Sequence, residues 1–169
     1  MEKKTVNTAL PTDYQTFIAT SRYARWMEEE GRRETWSETV QRFMDNIVEF
    51  VDIDKKDKQD IHDAILTLQV MPSMRALMTA GAASDRDNTC VYNCSYLPVD
   101  HPRSFDEAMF ILLCGTGVGF SVERQSIQKL PLVPEDLQDV EDVIVVQDSK
   151  EGWARGLRKL VSLLYTGEI

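Results

Sequence analysis

The chain has 169 residues, with 28 acidic against 19 basic side chains and a formal net charge of −9. An acidic polyelectrolyte of this kind is repelled by nucleic acid and by anionic membrane surfaces, which argues against a generic binder of either. The hydrophobic share, 43%, is that of a soluble globular chain; no apolar run approaches the roughly 20 residues that span a bilayer.

In chain order, residues 1–11 read as a polar lead-in ending at Pro11. Thr12 and Gln15 have the spacing of a capping box. Tyr14, Phe17, Ile18 and Met27 then continue a helix-like pattern that Gly31 stops. Thr35 and Glu38 make a second capping box. Behind it Trp36, Val40, Phe43, Met44, Ile47 and Val51 recur every three or four residues and form one apolar helix face. Residues 52–60 read as a charged connection or first turn, and Ile61, Ala64, Ile65 and Leu68 as a third amphipathic helix. Residues 1–70 are therefore expected to be a helical subdomain.

The texture changes at Met71-Pro72-Ser73, because the residue before a proline avoids helical geometry. Residues 81–88 are small and polar, hence loop. Residues 94–99 read as a strand. Ser104 and Glu107 give a third capping box for an apolar helix that Gly115, Gly117 and Gly119 end. Val118, Phe120 and Val122 alternate as in a strand. Residues 125–142 read as a surface excursion, 143–146 as a buried strand, and Asp148 with Glu151 as the cap of a last helix closed by Thr166-Gly167. There is no internal repeat. A helical start followed by strand–helix–strand–strand–helix indicates an α/β architecture over 71–169, with residue 169 where a further strand would begin.

The three cysteines are Cys90, Cys94 and Cys114. Their spacing is not that of a zinc site, so no metal is expected. An odd cysteine count without an export signal fits a reducing, cytoplasmic setting. Cys114 reads as a buried hydrophobe. Cys94 opens a strand, where a thiol is either inert or faces a cleft. The run Cys114-Gly115-Thr116-Gly117-Val118-Gly119 follows a helix and precedes a strand, the reverse of the dinucleotide fingerprint. Its glycines either stop the helix or let main chain approach a ligand.

Five blocks carry more. They are Ser21-Arg22-Tyr23-Ala24-Arg25-Trp26 with Gly31-Arg32 and Trp36-Ser37-Glu38-Thr39-Val40, then Met71-Pro72-Ser73-Met74-Arg75, then Asn93-Cys94-Ser95-Tyr96-Leu97-Pro98-Val99. Gly115-Thr116-Gly117-Val118-Gly119-Phe120-Ser121 and Asp148-Ser149-Lys150-Glu151-Gly152-Trp153 complete the set. In this order they resemble the N-terminal part of the adenosylcobalamin-dependent (class II) ribonucleotide reductases, and the first block is similar to the monomeric triphosphate-type enzymes.

The resemblance implies an α/β fold in which the helical subdomain is followed by the first part of a ten-stranded barrel, incomplete in this chain. It implies a share in converting ribonucleoside triphosphates, with diphosphates still open, to 2′-deoxyribonucleotides by thiyl-radical chemistry. Cys94 matches one member of the thiol pair that ends as a disulfide. Met71, Ser73, Asn93 and Gly117 match positions near substrate, with methionine at 71 where threonine is common. Asp100 and His101 fall near the start of the family's specificity site for a deoxynucleotide effector, although His101 departs from the acidic residue usual there. The resemblance also implies adenosylcobalamin, held mostly by residues outside this chain. A thioredoxin-type reductant and a complementary C-terminal polypeptide or domain are implied too, without which the chain is inactive. The alternative is a non-catalytic fragment that binds nucleotide or docks on a reductase.

Overall fold

A computed structural model describes residues 10–141 and 143–168. Most of the polar lead-in, the last residue of the 125–142 excursion and the point at 169 where a further strand is expected lie outside the described residues. The chain divides into two compact units, one ending at Val91 and one beginning at Tyr92.

The first unit opens with α1 (Asp13–Ile18), capped by the Thr12 hydroxyl, which accepts the Gln15 N–H. The helix does not run on to Gly31. One wide turn over Ala19–Tyr23 follows, and then a small antiparallel hairpin of β1 (Trp26–Met27) and β2 (Arg32–Arg33). Gly31, at φ +62°, supplies the left-handed turn residue that closes the hairpin. Helix α2 (Trp36–Asn46) begins at the expected box: the Glu38 carboxylate accepts the Thr35 N–H at 2.6 Å and the Thr35 hydroxyl accepts the Glu38 N–H. It ends at Asn46, so Val51 is exposed and outside the apolar face.

Asp54 caps α3 (Lys55–Leu66). Trp36 Nε1 donates to the Leu66 carbonyl at 3.1 Å and ties the start of α2 to the end of α3. Ser73 caps α4 (Met74–Thr79), and the stretch read as loop from residue 81 contains a short helix, α5 (Ala82–Arg86). The Ser84 hydroxyl makes this turn possible, because it both donates to the Gly81 carbonyl and accepts the Gly81 N–H. Val40 and Leu77 are fully buried among Trp36, Phe43, Ile65 and Leu66. Through Leu77 and Ala76 the core recruits α4, so this compact unit continues past the Met71 break.

At the centre of the unit Arg42 and Glu34 form an ion pair whose side chains are 14% and 10% exposed. Arg42 Nε and Nη2 donate to the two carboxylate oxygens at 2.8 and 2.9 Å. The same guanidinium reaches the carbonyls of Tyr23, Leu77 and Ala80. One planar fork thus joins the turn after α1, α2 and the end of α4.

The second unit is a strand–helix–strand module. β3 (Cys94–Pro98) leads to α6 (Arg103–Leu113), and β4 (Gly117–Ser121) returns parallel to β3. A parallel pair requires such a crossover, and α6 contacts both strands. The expected box at Ser104 is absent. The Ser104 hydroxyl instead donates to the Pro98 carbonyl at 3.1 Å and ties the helix start to the strand it follows. The excursion includes a short helix, α7 (Arg124–Ile127).

Residues 143–146 are not a strand, and Val143 and Val145 are 79% and 89% exposed. β-branched residues suit a strand only where a neighbour offers a ladder, and among the described residues none pairs with them. The final helix, α8 (Lys150–Thr166), is capped by Ser149 rather than Asp148, since the Ser149 hydroxyl accepts the Gly152 N–H at 3.0 Å. Gly167, in the left-handed conformation, ends it as expected. Helix α8 packs on α6, and the buried Asp106 carboxylate accepts Nε and Nη2 of Arg158 at 2.8 and 2.6 Å. That acceptor raises the Arg158 guanidinium above its ordinary value. Among the described residues no helix is long and apolar enough to cross a membrane.

Candidate functional site

Cys94 is the first residue of β3, and its thiol is exposed. Strand alternation puts Tyr96, 68% exposed, on the same face, while Ser95 and Leu97 turn to the other, half-buried side. Register partners in a parallel pair share a face, so Gly117 lies beside Cys94 and Gly119 beside Tyr96. A Cβ on Gly117 would stand 3.9 Å from Cys94 Sγ and 3.5 Å from the Asn93 carbonyl oxygen; one on Gly119 would stand 4.0 Å from Tyr96 Cδ2. The two glycines therefore keep the sheet surface bare next to one thiol and one phenol ring.

The thiol's backbone is firmly held. Gly117 N–H donates to the Asn93 carbonyl at 2.9 Å, the buried Thr116 hydroxyl donates to the Tyr92 carbonyl at 2.9 Å, and the Ser95 hydroxyl donates to the Gly117 carbonyl. Gly115, at φ +85°, turns the chain out of α6 so that Thr116 and Gly117 meet the start of β3. Chemically the face offers a nucleophilic, oxidisable sulfur on a rigid strand, with room above the neighbouring main chain for a flat or ring-shaped group.

The structure brings together Asn93, Cys94 and Gly117. Met71 and Ser73 belong to the first unit. Met71 lines an apolar groove of about 320 Å³ with Tyr14, Ile18, Trp36 and Leu68. The Ser73 hydroxyl is engaged as the cap of α4, accepting the Ala76 N–H at 3.4 Å. Asp100 pairs with Lys129 at 3.3 Å, and His101 Nδ1 accepts the Arg103 N–H, a local turn contact at the head of α6. Tyr96 belongs to the 93–99 block but carries no assigned role in the sequence; its position two residues beyond Cys94 on one strand is the available signal.

Residues 2–82 match the family described as the ribonucleotide reductase alpha domain. The chain is 29% identical to the adenosylcobalamin-dependent ribonucleoside-triphosphate reductase of Lacticaseibacillus paracasei, over 69% of this chain and 20% of that protein. It is 27% identical to the enzyme of the same name from Lactobacillus leichmannii, over 78% of this chain and 22% of that protein. The crystal structure of a B12-dependent (class II) ribonucleotide reductase superposes with a TM-score of 0.71 at 20% identity, covering 89% of this chain and 29% of that one.

The chain matches an N-terminal portion of the class II ribonucleotide reductases. It spans 20% to 22% of the length of these two relatives. Its mixed helices and small sheets carry the fold of that portion. The relatives are adenosylcobalamin-dependent by name. The open strand face described here, with a thiol, a phenol and bare glycine backbone, is not by itself a pocket that encloses a corrin.

Proposed function

We propose that this chain is the part of an adenosylcobalamin-dependent ribonucleoside-triphosphate reductase that presents one redox-active thiol, Cys94, to the ribose of the substrate. One observation carries the reading: Cys94 stands exposed at the head of a parallel strand pair, directly beside a glycine, in a chain whose relatives perform this reduction. The remainder of a ten-stranded barrel, a second thiol and most of the surface for the cofactor come from residues outside this chain.

Adenosylcobalamin, when bound, supplies the radical. This chain's residues serve the two-electron reduction that follows. Cys94 and its partner thiol give two hydrogens to the sugar: the C2′–O bond breaks, a C2′–H bond forms, the hydroxyl leaves as water and the sulfurs join as a disulfide. That disulfide requires the partner's Cα within about 4.4–6.8 Å of Cys94. The bare main chain at Gly117 and the neighbouring Asn93 would lie against the sugar. Ser73, at the head of α4, and the Met71 backbone would contact substrate, the former at its phosphates. A thioredoxin-type reductant would restore the thiols, and a deoxynucleotide effector would bind near Asp100.

The test is reconstitution. The chain is combined with a C-terminal reductase polypeptide carrying the rest of the barrel, adenosylcobalamin, a ribonucleoside triphosphate and a thioredoxin-type reductant. Deoxynucleotide should form over many turnovers, and Cys94→Ser should reduce it to background. A folded assembly that forms none would favour a non-catalytic nucleotide- or reductase-binding fragment. An active assembly unaffected by Cys94→Ser would remove Cys94 from the chemistry.

A further inference from the structure

Away from the face that carries Cys94, a second reactive pair meets within the second unit. Cys114 is the C-terminal cap of α6 and is 8% exposed. Lys150, the first residue of α8, brings its Nζ to 3.2 Å from Cys114 Sγ. The same ammonium lies 5.6 Å from the centroid of the Phe110 ring, one turn back on α6. The contact therefore joins the end of one helix to the start of another across 36 residues of sequence.

We propose that Cys114 and Lys150 form a reversible, oxidation-dependent sulfenamide cross-link, with a hydroperoxide as the oxidant. In the first step the Cys114 sulfur attacks the peroxide O–O bond. The sulfur loses two electrons and becomes a sulfenic acid, and the peroxide's second oxygen leaves as water. In the second step the lone pair of the neutral Lys150 amine attacks that sulfur. An N–S bond forms, the S–O bond breaks, and the hydroxyl departs with one amine proton as a second water. A dithiol reductant reverses the link. Its first thiol attacks the sulfur, the N–S bond breaks and the Lys150 amine leaves with the thiol's proton. Its second thiol then displaces Cys114 as the free thiol from the mixed disulfide, leaving the reductant as a disulfide.

The surroundings favour this course over the usual fates of a sulfenic acid. Cys114 is too buried for a bulky thiol to reach it quickly, whereas a hydroperoxide is small. The amine is already in contact, on a flexible four-carbon stem that needs little reorientation. The cross-link braces the end of α6, three residues before Gly117, and so stiffens the turn that sets Gly117 beside Cys94.

The test is mass mapping of the full chain after titration with hydrogen peroxide, with remaining thiols blocked by N-ethylmaleimide. The expected product has lost two hydrogens. Its tryptic map shows no cleavage after Lys150 and contains one linked peptide holding both Cys114 and Lys150. Dithiothreitol restores the unlinked peptides. Lys150→Arg keeps the cation but is no comparable nucleophile, and should give no linked peptide. The proposal is overturned if peroxide leaves Cys114 as free thiol, as a dimedone-trapped sulfenic acid or as sulfinic acid while trypsin still cleaves after Lys150.

Discussion

Cys94 and Gly117 are register partners across the β3–β4 ladder, and the hydrogen on Gly117 occupies the place from which a Cβ would stand 3.9 Å from the Cys94 sulfur. Access to the thiol is therefore governed by a residue 23 positions away in sequence, and the glycine is kept free of a side chain on the exposed face rather than required by its own backbone angle.

Gly117→Val tests that relationship. A branched side chain should shield Cys94 and slow its reaction with an aromatic disulfide reagent by about tenfold, equivalent to roughly 1.4 kcal/mol of barrier. Gly117→Ala makes only ordinary van der Waals contact and should react near the parent rate. Cys90 and Cys114 are buried, so the fast phase reports Cys94. Equal rates for parent and Gly117→Val would show that Gly117 does not control access.

Arg42→Met should be among the most damaging single changes in the first unit. It removes the cation from the Glu34 carboxylate, which keeps only the Arg25 N–H and the Thr39 hydroxyl as donors, and takes a donor from three backbone carbonyls, a loss of about 3–5 kcal/mol for a broken buried pair. The double variant Arg42→Met, Glu34→Leu should recover part of that loss, because it removes the orphaned charge. Urea denaturation of four proteins, the parent, Arg42→Met, Glu34→Leu and the double variant, measures the cycle; additive losses would mean that the two residues do not act as a pair.

The same carboxylate predicts acid sensitivity. Burial alone pushes Glu34 up, but hydrogen bonds from Arg42, the Arg25 N–H and Thr39 outweigh it and hold the carboxyl below its ordinary value of 4.5. The Arg32 guanidinium and the Thr35 N–H hold Glu38 far lower still. A carboxyl depressed on folding adds stability that is fully present above its unfolded value and is lost as pH falls through the folded one. The urea midpoint should therefore be flat near neutrality and fall progressively below pH 4.5. Glu34→Gln should flatten part of that fall, and an unchanged slope in this variant would contradict the assignment.

Gly152→Ala sets helix propensity against packing. Alanine is favoured over glycine in a helix by about 1 kcal/mol. A Cβ at Gly152, however, would collide with the Gln147 carbonyl and stand 2.7 Å from the Gln147 Cβ. The clash should win, with net destabilisation of about 1–3 kcal/mol. A raised melting temperature for this variant would show that residues 147–149 yield easily.

Several elements were legible before any tertiary contact was considered. The Thr35–Glu38 box and the spacing of Trp36, Val40, Phe43 and Met44 set the start and buried face of α2. The strand at Cys94 and the turn at Gly167 were equally local, because caps, periodicity and left-handed glycines are satisfied within a few residues. The resemblance of the blocks around Met71, Cys94 and Gly115 pointed to the reductases, which the matched relatives bear out.

What the sequence determined alone was this set of local elements and the reductase likeness. Tertiary structure decided the rest wherever a residue chooses between partners. Residues 143–146 have strand composition, but among the described residues no strand pairs with them. Ser104 gave up a helix cap for the Pro98 carbonyl, and Ser149 took the cap that Asp148 was expected to hold. Gly117 became the neighbour of Cys94 only when α6 carried the chain back in parallel. Local signals fix conformation within one or two turns, but a ladder, a buried ion pair or a thiol's exposure depends on what distant chain segments place beside it.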